Sequence, residues 1–242
     1  MMKKEIIRKP PNLDLLIESL NVDRSEIISR DLLINALTHK SIKHDLKESV
    51  PNNERLEYLG DAILKLSVSQ WLYLNYPEAD EGVMSQSRAY VVSDRSLANI
   101  ARKINLHEHI ILGKKEELTG GKDKDSILAN CFEAVLGAVF LSTGYNISSE
   151  MIIKLTQDEI KEAIEGKAVE ANAKDVLQKI TQAKFKILPE YNSSHLEGPP
   201  HRATFQCTLK ILDKTYYSTG ASKKEAEQES AKLALKDLQN EK

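Results

Sequence analysis

Asn53-Glu54-Arg55-Leu56-Glu57-Tyr58-Leu59-Gly60-Asp61 follows the break made by Pro51-Asn52-Asn53 and reads as the opening of a helix. At about 100° per residue, Glu54, Glu57 and Asp61 fall within about 60° of one another. Leu56, Leu59, Ile63 and Leu66 are expected roughly opposite them. Like charges at this spacing repel, so the face is either bathed in solvent or shared by a divalent cation.

Further along, Ile127 to Gly137 (ILANCFEAVLG) is apolar around most of its circumference, the pattern of a helix buried among others. Asn130 and Glu133 stand three apart on one face of it. A carboxylate there is costly unless a lysine or arginine pairs with it, a hydrogen bond reaches it, or a metal binds it. Gly137 and Ala138 leave room for another backbone to come close.

Around these two segments the apolar residues keep a helical period, as in Leu32, Leu33, Ala36 and Leu37 and again in Leu97, Ile100, Ala101 and Ile104. Residues 13–165 are therefore expected to form one all-α unit, punctuated at Tyr76-Pro77 and Gly120-Gly121. Residues 166–171 read as a linker. Residues 172–240 change character and are expected to form a small α+β unit. Val176, Leu177 and Ile180 mark a short helix; Ala203, Phe205, Cys207, Leu209 and Ile211 alternate with polar residues as a strand; Tyr216 to Thr219 read as the next strand, ended by Gly220. A last helix starts near Ser222, with Ala231, Ala234, Leu235 and Leu238 on one face.

Composition excludes a disordered chain: of 242 residues, 41% are hydrophobic and 29% charged. Uninterrupted apolar runs such as Ala138 to Leu141 fall far short of the ~20 residues that span a bilayer, so no membrane partner is expected. The first lysines have no apolar segment behind them, so no secretory signal is expected. Two cysteines, Cys131 and Cys207, are too few for a disulfide framework, which makes a reduced, cytoplasmic compartment the expectation. The net charge of -2 hides an asymmetry: residues 172–242 carry 12 Lys and Arg against 9 Asp and Glu, and residues 1–171 carry 22 against 27.

Four elements in order give the chain a family likeness. NERLEYLGD at 53–61, Leu37-Thr38-His39-Lys40-Ser41 before it, Asp80-Glu81-Gly82 with Met84-Ser85 and Arg88 after it, and SILANCFEAVLGAVFL at 126–141 resemble the ribonuclease III family. The resemblance implies a bacterial-type enzyme: an all-α endonuclease domain followed by an α-β-β-β-α double-stranded RNA-binding domain. It implies hydrolysis of duplex-RNA phosphodiesters with magnesium, for which manganese substitutes, leaving 5′-phosphate and 3′-hydroxyl ends. Processing of ribosomal and messenger precursors by a cytoplasmic homodimer goes with it.

Carried over residue by residue, the resemblance makes Glu57, Asp61, Asn130 and Glu133 the metal ligands. Asp61 and Glu133 are catalytic, with Glu54 an accessory acid and Glu81 close to the cleft. Asn130 departs from the pattern, since the family has Asp at that place. Its amide oxygen can still approach magnesium, but without a charge, so weaker metal binding is expected. Natural divergence, a substrate-trapping substitution and a duplex-RNA-binding protein that has lost efficient cutting all agree with that change.

Residues 172–240 resemble a double-stranded RNA-binding domain. Ser222-Lys223-Lys224-Glu225 has the form of a capping box, in which the Ser222 hydroxyl meets the Glu225 amide and Glu225 reaches back. Lys223 and Lys224 then occupy the first helical turn, where the dipole disfavours cations by about 0.3–1 kcal/mol each. Their presence makes sense against a phosphate backbone, which ammonium and dipole both attract. By resemblance Ser222, Lys223 and Lys224 clamp phosphates, Gln178 and Lys179 face one minor groove, and His201 in Gly198-Pro199-Pro200-His201 enters the next.

Other signals fall away. Gly120-Gly121-Lys122 lacks the spacing of a phosphate-binding loop and has Asp123 where Ser or Thr is needed, so no nucleotide cofactor is expected. His107-Glu108-His109 cannot put both imidazoles on one helix face and reads as a surface loop. Cys131 is expected to be a packed core residue.

Overall fold

The computed structural model describes residues 10–22, 28–46, 50–167, 173–197 and 203–240. The chain divides into two compact units, residues 1–161 and 162–242.

The first unit is helical: α1 (Leu13–Ser19), α2 (Arg30–Leu37), α3 (Glu54–Asn75), α4 (Glu81–Val91), α5 (Asp94–Lys103), α6 (Lys114–Leu118), α7 (Asp125–Thr143) and α8 (Tyr145–Glu162). Four starts are capped as their sequences dictate. The side chains of Asn12, Ser29, Asp80 and Ser93 accept hydrogen bonds from the amides of Leu15, Leu32, Val83 and Ser96.

Helix α7 is the hub, packed against α2, α3 and α5. Leu128, Phe132, Val135, Leu136 and Val139 are fully buried on it, and Cys131 joins them with its thiol directed to the Ala36 carbonyl at 3.6 Å. With 19 residues and a mean hydropathy of 1.6, α7 is long and apolar enough to cross a membrane; its burial within the unit marks it instead as a core helix.

Two glycines set how closely α3 and α7 cross. A Cβ on Gly60 would stand 1.7 Å from the Glu133 carbonyl oxygen, and one on Gly137 would stand 2.4 Å from that of Leu56. Only hydrogen fits between the two backbones at either place. The segment ahead of α3 is pinned as well. His39 and Asn53 donate their amides to the carbonyls of Ile111 and Thr38 at 3.0 and 2.9 Å, and Ser41 Oγ accepts the Gly113 amide at 2.9 Å.

The four residues expected opposite the acids on α3 lie there but are unequally buried. Leu56 and Ile63 are buried, but Leu59 is only half-buried and Leu66 is 53% exposed. The core-facing stripe runs instead through Leu64, Val68 and Leu72. Asp61, Val68 and Leu72 lie within about 40° of one another around the helix. Buried residues thus lie opposite the acids at Leu56 and Ile63 and come round to the acidic side further along, where Glu57 and Asp61 are half-buried.

The second unit runs α9 (Ala173–Phe185), β1 (Glu190–Glu197), β2 (Thr204–Ile211), β3 (Lys214–Gly220) and α10 (Lys223–Asn240), with an antiparallel sheet in the order β1-β2-β3. This is the expected α-β-β-β-α order. Asn192, Thr208 and Tyr217 stand abreast across the three strands. The period-two stripe of β2 buries Cys207, Leu209 and Ile211, and the core is completed by Ala173 and Leu177 of α9 and Ala231, Ala234 and Leu235 of α10.

Candidate functional site

The glycine crossing brings Glu57 and Asp61 on α3 to the same place as Glu133 on α7, where Asn130 and Glu133 share the one half-exposed face of an otherwise buried segment. Of the three ways to settle a carboxylate there, two are not taken: among the described residues no hydrogen bond or ion pair meets the Glu133 carboxylate. Burial, and then the charges of Asp61 and Glu57, push its pKa up to about 8, with Lys65 pulling the other way and Asp94 adding to the rise. Burial likewise raises Glu57, helped by the carboxylates of Glu54, Asp61 and Asp94 against the pull of Lys40.

The remaining acids stand differently. Lys65, one turn on, donates to Asp61 Oδ2 at 2.8 Å. Glu54 is exposed and takes the Lys40 ammonium at 3.1 Å, which holds its carboxyl below the usual range. Glu81, in the first turn of α4, accepts from the Ser85 hydroxyl at 2.6 Å; the charges bearing most strongly on Glu57 and Glu133 do not include it. Asp94, in the first turn of α5, does act on both, and nothing in the linear pattern pointed to it. Ser93 to Ser96 reads simply as a capped helix start, and only the packing of α5 on α7 gives that start its neighbours.

Among the described residues no three Asp, Glu, His or Cys side chains are gathered into a ready-made metal cage. That does not disqualify the donor set. Magnesium keeps several waters and is held by one or two carboxylates with substrate phosphates, rather than by an all-protein cage. A half-buried carboxylate with no partner, flanked by two more, demands either a proton or a cation. The oxygen donors of Glu57, Asp61, Asn130 and Glu133 fit a hydrated divalent cation on that ground.

At the start of α3 lies a groove of ≈ 810 Å³ lined by Leu32, Asn35, Glu54, Leu56, Leu59 and Leu141 among others. Tyr58, Leu66 and Tyr73 are 81%, 53% and 70% exposed and recur at helical spacing as an apolar stripe along α3.

In the second unit, Ser222 Oγ accepts the Glu225 amide at 3.1 Å as a cap should. Glu225 reaches back one residue further than the expected box, to the Ala221 amide at 2.8 Å. The helix entry is therefore closed over Ser222, and Lys223 and Lys224 are left exposed in the first turn of an 18-residue helix. Gln178 and Lys179 are exposed on α9, and His201 with Gly198 to Pro200 lies outside the described residues. The surface-loop expectation for His107-Glu108-His109 also fails: Leu106–Glu108 is a 3-10 turn, and Leu106 and His109 are buried.

A helical unit with unpaired carboxylates at a helix crossing, followed by an α-β-β-β-α unit with lysines at a helix entry, has the form of a nuclease domain joined to an RNA-binding module. The comparisons with known proteins agree. Residues 29–159 match the ribonuclease-III-like family model, and residues 173–238 match the double-stranded RNA binding motif. Proteins named ribonuclease 3 from Wolinella succinogenes and Borreliella burgdorferi are 41% and 39% identical to the chain. The first alignment covers 86% of this chain and 85% of the relative, the second 94% and 92%. Among solved structures, the nuclease domain of ribonuclease III from Campylobacter jejuni is 38% identical, with a TM-score of 0.56 over 61% of this chain and 98% of that one. The chain belongs to the ribonuclease III family.

Proposed function

We propose that the chain is a magnesium-dependent endoribonuclease that hydrolyses double-stranded RNA, leaving 5′-phosphate and 3′-hydroxyl ends, in the processing of ribosomal and messenger precursors. The observation that carries this reading is the Glu133 carboxylate, half-buried and unpaired, beside Glu57 and Asp61. Glu57, Asp61 and Glu133 would hold the cation, manganese serving in place of magnesium, and Asn130 would add its amide oxygen. When bound, the cation supplies an activated water and steadies the leaving 3′-oxygen. Glu54 and Glu81 are assigned to the rim of the cleft. Gln178, Lys179, His201, Ser222, Lys223 and Lys224 are assigned to the duplex, read by shape and 2′-hydroxyls.

Homodimer formation belongs to the same reading. We read the exposed Tyr58 and the groove at the start of α3 as the surface that a two-fold axis pairs. The Campylobacter nuclease domain is itself described as flexible in a region involved in dimer formation. The division into a catalytic domain at 13–165, a linker at 166–171 and an RNA-binding domain at 172–240 goes with this proposal, as does a cytoplasmic location, where the free Cys131 and Cys207 stay reduced.

Asn130 favours a second reading, a duplex-RNA binder that cuts poorly, because it removes one charge from the face it shares with Glu133. Long duplex RNA incubated with magnesium and then with calcium separates the two. Short 5′-phosphorylated products with magnesium alone mark the enzyme, and a stable complex without products in both metals marks the binder. The Asn130→Asp variant should cut several-fold faster at limiting magnesium; equal rates would show that the missing charge is immaterial.

A further inference from the structure

We infer that Lys65 is the resident counter-ion of the carboxylate centre, holding Asp61 until a divalent cation displaces it. The inference rests on the reading of Glu57, Asp61 and Glu133 as the metal-holding acids and adds a residue to it. Lys65 and Asp61 are one turn apart on α3, with Nζ 2.8 Å from Oδ2. The two side chains are 50% and 36% exposed, so the ammonium can leave for solvent without stranding a buried charge.

Lys65 is also the cation that bears on Glu133. The other nearby ammonium, Lys40, is committed to Glu54 at 3.1 Å and reaches Glu57 only through space. With Asn130 neutral, the centre offers three carboxylates, and one of them, Asp61, is already paired with an ammonium. A cation entering must therefore do two things: it must take Asp61 from Lys65, and it must tolerate an ammonium tethered one turn away. Both weaken its hold, and both are properties of one side chain.

Manganese binding to the full chain without RNA tests this directly, read from the loss of the free-ion electron paramagnetic resonance signal. Lys65→Gln should bind manganese roughly tenfold more tightly, as expected for removing one charge a few ångströms from a divalent ion. Lys65→Arg keeps the charge and should stay within about threefold of the parent. Glu133→Gln is the control for the centre itself and should weaken binding. If Glu133→Gln weakens binding while Lys65→Gln leaves it unchanged, the role of Lys65 is overturned and the centre stands. If Glu133→Gln has no effect, or nothing saturable is seen, the centre is misassigned and the inference falls with it. Equal tightening by Lys65→Gln and Lys65→Arg would also overturn it, because charge would then not be the cause.

Discussion

Glu133 in the first unit and Glu227 in the second are both carboxylates on helices packed against their unit's core, and they are treated in opposite ways. Glu227 is gripped by the Lys174 ammonium and by the Ser193 hydroxyl at 3.0 Å, and the Lys174 bond holds its carboxyl below the usual range. Asp237 is held the same way, by Lys214 at 2.8 Å and Tyr216 at 2.7 Å. Glu133 has no such partner among the described residues, and burial pushes its pKa up to about 8. In the second unit partly buried charge fastens helices to strands and to each other, while Lys223 and Lys224 stay exposed at a helix entry. At the α3–α7 crossing, a half-buried carboxyl is left without a cation and holds its proton instead.

The largest effect expected from disturbing this contrast is at the crossing itself. Gly60→Ala places a methyl against the Glu133 carbonyl and must push α3 off α7, which should cost about 3 kcal/mol in denaturant unfolding. A loss under about 1 kcal/mol would mean that the helices do not meet so closely. Next comes the gripped carboxylate: Glu227→Ala removes the acceptor of the Ser193 hydroxyl and leaves the Lys174 ammonium only its contact with the Tyr191 ring, which should cost about 1–2 kcal/mol.

Replacing Lys223 and Lys224 together by alanine should raise stability slightly, because two cations leave the positive end of the helix dipole. It should weaken duplex-RNA binding about tenfold and flatten its salt dependence. A steep salt dependence that survives the double change would place the phosphate contacts elsewhere.

The smallest effect is on pH dependence. A carboxyl whose folded pKa exceeds its unfolded one binds its proton more tightly in the folded state, so stability falls as pH rises through that window. For Glu133 the window runs from 4.5 to about 8. The metal-free protein should therefore melt a few degrees lower at pH 8 than at pH 5.5 on this account, and Glu133→Gln should remove that part of the slope. Glu227 has a lowered pKa and works in the reverse sense, its contribution fading as pH falls through the acid range.

Much of this contrast could be read from the chain alone, and the parts that could not have physical causes. The acids at 54, 57, 61 and 133 and the glycine at 137 were legible because helical spacing fixes which residues share a face. The fate of Glu133 was not, since whether a carboxylate on an apolar helix finds a cation depends on side chains from other helices. Within the first turns of α3 the acids and Leu56, Leu59, Ile63 and Leu66 stand on opposite sides, and only over its 22 residues does the buried stripe drift round to the acidic side. Strand β1 (EYNSSHLE) has no apolar alternation to announce it, and its place was carried by the family resemblance rather than by its residues. The Lys65–Asp61 pair has a spacing any helix would show. Only the identity of its carboxylate gives it meaning.

The claim that the unpaired acids cut while the lysine-tipped unit only holds is tested most directly by one variant. Glu133→Gln, incubated with long duplex RNA and magnesium, should bind the duplex with the parent's affinity and lose cleavage by at least a thousandfold. Cleavage at the parent's rate by Glu133→Gln would contradict the account, because the carboxylate on which it rests would then be idle.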